Sequence, residues 1–66
     1  MASKRFPVRL KQLREAKGMS QAALAEKIGV SREYIARLEA GKHDPPLSRI
    51  EKLAKALNVK LGRLLE

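Results

Sequence analysis

Apolar residues recur at every third or fourth position through most of this chain, and polar residues stand between them. That spacing is the period of a helix with one buried face. It predicts helices over residues 7–17, 21–28, 32–40 and 59–65, and another that ends near residue 58. The pattern therefore predicts an all-α protein built from five short helices.

The second and third predicted helices are joined by a very short turn. Ser20 and Ser31 can cap the starts of these helices, and Gly29 can adopt the positive φ angle that stops the first of them. Two helices with so short a connection must cross steeply. Apolar residues stand where such a crossing would bury them, at Leu24, Ala25, Ile28, Val30, Ile35 and Leu38. This arrangement predicts a helix-turn-helix.

The third predicted helix also has a face that the protein core does not need. This face carries Arg32, Glu33, Ala36 and Arg37. Side chains of this kind can contact the base edges that a DNA major groove exposes.

The start of the fourth helix has two interpretations. Asp44 could cap a helix entered through Pro45, whereas Ser48 with Glu51 three residues later forms a capping box. We expect the earlier start, because it places Leu47 on the apolar stripe of the helix.

The length of 66 residues is that of one small domain, 1–66, in which we expect residues 1–6 to form a flexible arm. No glycine loop for phosphates and no combination of nucleophile, histidine and carboxylate is present, so we do not expect an enzyme. With no cysteine and the single histidine His43, the sequence indicates neither a disulfide nor a metal site, and no cofactor is expected.

Lys and Arg number 15 against 7 Asp and Glu, which makes the formal net charge +8. This excess indicates a polyanionic partner, although ribosomal and membrane-surface proteins can be equally basic. No apolar run resembles a signal peptide or a membrane span, so we expect a cytoplasmic protein without membrane contact. The predicted helix-turn-helix favours DNA as the polyanion.

The segments LKQLREAKGMSQAALAEKIGVSREYIARLEAGK and LSRIEKLAKALNVKLGRLL together resemble the Cro and lambda-type repressor (XRE) family. The residues that match the positions defining its motif are Gln21, Ala25, Gly29, Ile35 and Leu38. The resemblance implies a compact five-helix DNA-binding domain with the helix-turn-helix at helices 2 and 3. It further implies that helix 32–40 is a recognition helix, which enters the major groove.

The resemblance also implies which side chains contact DNA bases. The corresponding positions are Ser31, Arg32, Glu33 and Arg37. Arg32 or Arg37 could donate two hydrogen bonds to a guanine. Glu33 could accept a hydrogen bond from a cytosine, or it could instead pair with Arg37 one turn further along the helix.

Contacts to the DNA backbone are implied for Gln21 and Lys42, and Tyr34 could add its hydroxyl. Tyr34 could instead be a half-buried packing residue. The resemblance further makes Arg14 and Glu39 a pair that joins the first helix to the third, the alternative being two solvated surface charges.

Leu61, Leu64 and Leu65 are more apolar side chains than a short terminal helix is expected to bury. We expect some of them to form a dimer interface, and the alternative is that all three close the core of the protomer. These expectations describe a homodimeric regulator of transcription that binds double-stranded DNA at a pseudo-palindromic operator. An antitoxin-like module, whose main protein partner is a toxin, is the alternative.

Overall fold

The computed structural model describes residues 4–66, and these contain five helices and no strand. The helices are α1 (Phe6–Ala16), α2 (Gln21–Ile28), α3 (Arg32–Glu39), α4 (Leu47–Leu57) and α5 (Leu61–Leu65). The all-α class and the order of elements agree with the sequence pattern. No helix within the described part of the chain is long and apolar enough to cross a membrane.

The first four helices all end in the same backbone motif, in which one residue adopts a positive φ angle. That residue is Gly18, Gly29, Gly41 or Asn58 in turn. The next residue then donates its backbone N–H to a carbonyl five positions earlier, as Val30 does to Ala25 at 2.9 Å. Each of these turns is therefore compact, and α2 leads into α3 through only the three residues 29–31.

Serine side chains cap the two helices of the helix-turn-helix, as the sequence predicts. The Ser20 hydroxyl oxygen accepts a hydrogen bond from the Ala23 N–H at 2.9 Å. The Ser31 hydroxyl oxygen accepts one from the Tyr34 N–H at 3.1 Å. Both bonds satisfy backbone donors that a helix start would otherwise leave without partners.

The prediction for the start of α4 is wrong. The helix begins at Leu47 with Pro46 at its N-cap, and no side chain caps it. The helical region is disfavoured for a residue that precedes a proline, which opposes a helix start at Pro45, and the backbone is still extended at Pro46. Pro45 is buried in place of Leu47, which is 36% exposed.

The core receives side chains from every helix. Its buried members are Phe6, Leu10, Leu13, Leu24, Ala25, Ile35, Leu38, Ile50, Leu53, Ala54, Leu57 and Leu64. Phe6, which the sequence interpretation assigns to the flexible arm, is the first residue of α1 and is buried. Residues 1–3 of the expected arm lie outside the described residues.

The short helix α5 packs against α1 and α4. Arg9 of α1 strengthens this contact, because its Nε donates to the carbonyl oxygen of Arg63 at 3.0 Å. Its Nη2 also donates to Glu66 at 3.2 Å. The packing of α2 against α4 and of α3 against α1 holds the helix-turn-helix in place, with one side of α3 turned away from the core.

Candidate nucleic-acid interface

The four side chains expected to contact DNA bases are all exposed. Three of them, Ser31, Arg32 and Glu33, stand at the start of α3, and Arg37 follows in its last turn. Arg32 and Glu33 have 53% and 71% of their side-chain surface exposed. Ser31 uses its oxygen as the cap of α3, which leaves its hydroxyl hydrogen available as a donor.

Glu33 lies beside Arg32, with 3.8 Å between its carboxylate and the Arg32 guanidinium. The alternative in which Glu33 pairs with Arg37 is not found among the described ion pairs. Arg32 also donates a hydrogen bond from Nη1 to Oε1 of Gln21, the first residue of α2, at 3.4 Å.

Gln21 connects this exposed surface to the interior of the protein. Its side-chain amide donates to Glu39 Oε1 at 3.1 Å, while its own Oε1 faces Arg32. A carboxylate can only accept hydrogen bonds, so Glu39 determines which end of the amide points inward. The Gln21 oxygen is thereby directed at residue 32 and favours a donor there.

Arg14 and Glu39 lie in direct contact between α1 and α3. Arg14 donates from Nε to Glu39 Oε2 at 2.7 Å and from Nη2 to Oε1 at 3.0 Å. A third donor, Nη1, reaches the Met19 carbonyl at 2.7 Å. Only 9% and 4% of the two side chains are exposed. The hydrogen bonds with Glu39 raise the pKa of Arg14 above its ordinary value, although burial acts in the opposite direction.

These contacts form one continuous polar chain, which runs from Arg14 through Glu39 and Gln21 to Arg32. The sequence interpretation pairs its first two members. It does not connect them to Gln21 or Arg32, because nothing in the local sequence indicates that these residues meet.

Tyr34 has the packing environment that the sequence left as an alternative. It is half-buried against the core. Its ring centroid lies 5.2 Å from that of His43, edge to face, and 5.0 Å from the guanidinium carbon of Arg49. Lys42 is exposed in the loop after α3. Arg49 is absent from the sequence-based set of binding residues, since its contact with Tyr34 arises only when α3 packs near α4.

The three leucines of α5 do not share one environment. Leu64 is fully buried at 0% exposure in the core of the protomer, which corrects its assignment to a dimer interface. A five-residue helix that packs against both α1 and α4 turns one of its leucines inward. Leu61 and Leu65 are half-buried and retain accessible surface.

Within residues 4–66, no group of three or more His, Cys, Asp or Glu side chains could hold a metal ion. Apart from the carboxylate of Glu33, the exposed site residues on α3 and in the loop after it are hydrogen-bond donors and cations. Such a surface suits a polyanion with base edges between its charges.

Comparison with known proteins gives consistent results. A family model described as Helix-turn-helix matches residues 10–64. An uncharacterized HTH-type transcriptional regulator of Archaeoglobus fulgidus is 42% identical over 56 residues, which cover 85% of this chain and 80% of that protein.

Solved structures extend the similarity to the fold. The restriction-modification controller protein C.AhdI from Aeromonas hydrophila matches with a TM-score of 0.87 and 42% identity, over 91% of this chain and 87% of that one. The crystal structure of SinR, the master regulator for biofilm formation, in complex with DNA matches with a TM-score of 0.86 and 35% identity. That match covers 92% of this chain and 98% of the SinR chain.

The same fold also occurs inside an enzyme. Hydroxypropylphosphonic acid epoxidase from S. wedmorenis matches with a TM-score of 0.90 and 33% identity over 98% of this chain. The chain spans only 35% of that protein, so the likeness concerns one part of it.

Proposed function

Because this chain belongs to the helix-turn-helix family of the Cro and lambda-repressor type, we propose that it is a DNA-binding transcription regulator that acts as a homodimer on a specific operator. The proposal rests chiefly on the exposed start of α3, where Arg32 is held by Gln21 while the buried side of the same helix is fixed in the core. A recognition helix needs this combination of a rigid base and free donors. The DNA complex of SinR, which has the same fold, supports the same mode of binding.

Arg32 is the proposed base-reading residue. It is half-exposed, and a guanidinium can donate two hydrogen bonds to the O6 and N7 atoms of guanine. Ser31, Glu33 and Arg37 stand on exposed positions of the same helix or at its cap and complete the proposed set of base contacts. We therefore propose an operator with guanine in each half-site.

The backbone contacts are proposed for Gln21, Tyr34 and Lys42. Gln21 begins α2, where backbone N–H groups without helical partners can donate to a phosphate even while its side chain binds Glu39 and Arg32. Lys42 supplies an exposed charge just beyond α3. Tyr34, whose ring contacts His43 and Arg49, would contribute its hydroxyl.

Dimerisation is proposed through the accessible surfaces of Leu61 and Leu65. A twofold dimer presents two recognition helices about 34 Å apart, which is one turn of DNA, and so matches a pseudo-palindromic operator. We further propose that this activity takes place in the cytoplasm.

Selection of binding sites from random duplex DNA tests the function. The best recovered site and a scrambled duplex are then titrated at several salt concentrations. We expect an inverted repeat with guanine in each half, bound at least about a thousandfold more tightly than the scramble. If both duplexes are bound with equal affinity and with a steep dependence on salt, the protein binds only the phosphate backbone and does not recognise a sequence.

Arg32→Ala identifies the base contact within this experiment, with Lys11→Ala as a control that removes one exposed charge from α1. We expect Arg32→Ala to lose about 1–3 kcal/mol of discrimination at a single base position. The control should keep the preference unchanged. A uniform loss of affinity on all sequences would assign Arg32 to the backbone instead.

A further inference from the structure

We propose that Arg49, held against the ring of Tyr34, is a DNA phosphate-binding residue and forms a second clamp on the backbone beside the recognition helix. This inference rests on the proposed DNA-binding function. It adds a residue of α4 to an interface otherwise assigned to α2, α3 and the loop after α3.

Three separate elements meet at the Tyr34 ring. Tyr34 belongs to the first turn of α3, His43 to the following loop and Arg49 to the first turn of α4. The His43 ring meets it at an angle of 65°, and the Arg49 guanidinium carbon lies 5.0 Å from its centroid. The position of Arg49 is thereby tied to the recognition helix and not only to α4.

Arg49 differs from the other partly buried arginines in what its guanidinium contacts. Arg14 donates to Glu39 and a backbone carbonyl, and Arg9 donates to Glu66 and a backbone carbonyl. Within the described part of the chain, Arg49 has neither a carboxylate nor a carbonyl acceptor. A guanidinium has five N–H donors, so those of Arg49 are available to an external acceptor.

The Tyr34 ring holds this charge without using its donors. A cation over an aromatic ring is attracted by the negative face of the π system, and this attraction requires no acceptor atom. The arginine is consequently ordered before binding while it keeps the planar donor arrangement that suits a phosphate. Exposed Lys42, next to His43 in the loop, adds a second cation nearby.

The location favours a phosphate over a base. Arg49 lies on α4, whereas base edges are accessible to the helix that occupies the groove. Its link to the first turn of α3 places it beside that helix, where the phosphates at the edge of the groove run. Binding at this site should therefore be independent of DNA sequence.

The test measures the affinity of the full chain for the selected operator duplex and for its scramble, at several salt concentrations. The variants are Arg49→Ala and the control Lys55→Ala, which removes an exposed charge from the same helix. We expect Arg49→Ala to weaken binding to both duplexes by about tenfold. The slope of the logarithm of affinity against the logarithm of salt concentration should become shallower by about 0.9 per protomer. Between about 50 and about 200 mM salt, the variant should therefore lose about 3.5-fold less affinity than the wild type does. The control should keep the wild-type slope.

The role of the ring is tested by repeating Arg49→Ala in Tyr34→Phe and Tyr34→Leu backgrounds. Phenylalanine keeps an aromatic face, so the loss should remain about tenfold, whereas in the leucine background it should fall to about twofold. An equal loss in all three backgrounds would overturn the positioning by Tyr34.

Three further outcomes distinguish a failure of the clamp from a failure of the proposed function. Arg49→Ala with a lower thermal midpoint but an unchanged salt slope would make Arg49 a structural brace and overturn the clamp alone. Wild-type protein that binds neither duplex would overturn the proposed function and the clamp with it. A change of base preference in Arg49→Ala would replace phosphate binding with base contact.

Discussion

Arg14 forms a buried ion pair with Glu39, and only 9% and 4% of the two side chains are exposed. Desolvation of a guanidinium is costly, and its hydrogen bonds to Glu39 and to the Met19 carbonyl offset that cost. Because the two side chains come from α1 and α3, the pair contributes to the orientation of the recognition helix as well as to stability.

A double-mutant cycle on this pair should reveal strong coupling. Arg14→Ala and Glu39→Ala each leave one buried charge without its partner, and we expect each to cost about 3–5 kcal/mol of unfolding free energy. The double variant should lose clearly less than the sum. Denaturant unfolding measures all four proteins, and additive losses would mean that the two charges act independently.

Gln21 connects the pair of Arg14 and Glu39 to Arg32 through hydrogen bonds. Gln21→Ala removes the acceptor that holds Arg32 but leaves the bonds between Arg14 and Glu39 in place. We expect it to lower the ratio of operator to scramble affinity, with little further loss when Arg32→Ala is added. Gln12→Ala, an exposed change on α1, is the matched control. If the losses of affinity ratio caused by the Gln21 and Arg32 changes add fully, the two residues act independently and Gln21 does not position Arg32.

At the scale of the element, the helix-turn-helix depends on the backbone conformation at its turn. Gly29 has a φ angle of 76°, and a Cβ added there would meet nothing within 4 Å. The position is therefore restricted by the backbone and not by space. Gly62 offers the opposite case, since it lies inside α5 with an equally open surrounding but without a positive φ angle.

The two glycines should respond to alanine with opposite signs. We expect Gly29→Ala to destabilise the protein by about 1–2 kcal/mol, because the left-handed conformation is unfavourable for a residue with Cβ. Gly62→Ala should stabilise it by about 0.5–1 kcal/mol, because alanine loses less backbone entropy in a helix. Thermal unfolding compares them, and a neutral Gly29→Ala would argue against the turn as described.

At the scale of the whole molecule, the exposed cations explain how so basic a chain remains compact. Each of the five helices carries at least one Lys or Arg, and the buried side chains of Arg14 and Glu39 are paired with each other. Binding to a polyanion relieves this self-repulsion and also releases the counterions condensed on the polyanion. The apolar surface that remains accessible on α5 is a second feature of the molecule that favours binding to a partner.

We expect charge substitutions at the leucines of α5 to have different effects on dimerisation and on folding. Leu61→Glu combined with Leu65→Glu places charges on half-buried positions, and we expect a folded monomer with weakened operator binding. Leu64→Glu places a charge in the core and should unfold the chain. Sedimentation and circular dichroism distinguish these results. A double variant that remains dimeric would place the interface elsewhere.

The short-range features were determined by the sequence alone. Hydrogen bonds between residues at most five positions apart form the caps at Ser20 and Ser31 and the turn at Gly29. The residues that determine these features are therefore close together in the sequence, where they can be recognised. The apolar pattern also indicated the five helices and the exposed face of α3, and the family resemblance added the compact DNA-binding domain. The Pro45 and Pro46 pair disfavours an earlier start of α4, and this local preference was outweighed by the apolar stripe in the sequence interpretation.

Only the tertiary structure decided which long-range contacts form. Gln21 and Glu39 are 18 positions apart, and no local pattern indicates that the glutamine would direct Arg32. Leu61, Leu64 and Leu65 are chemically identical, yet packing against α1 and α4 buries only Leu64 completely. Arg49 likewise meets Tyr34 only because α3 and α4 share one core. These contacts depend on the relative placement of whole helices, which a residue's immediate neighbours do not specify.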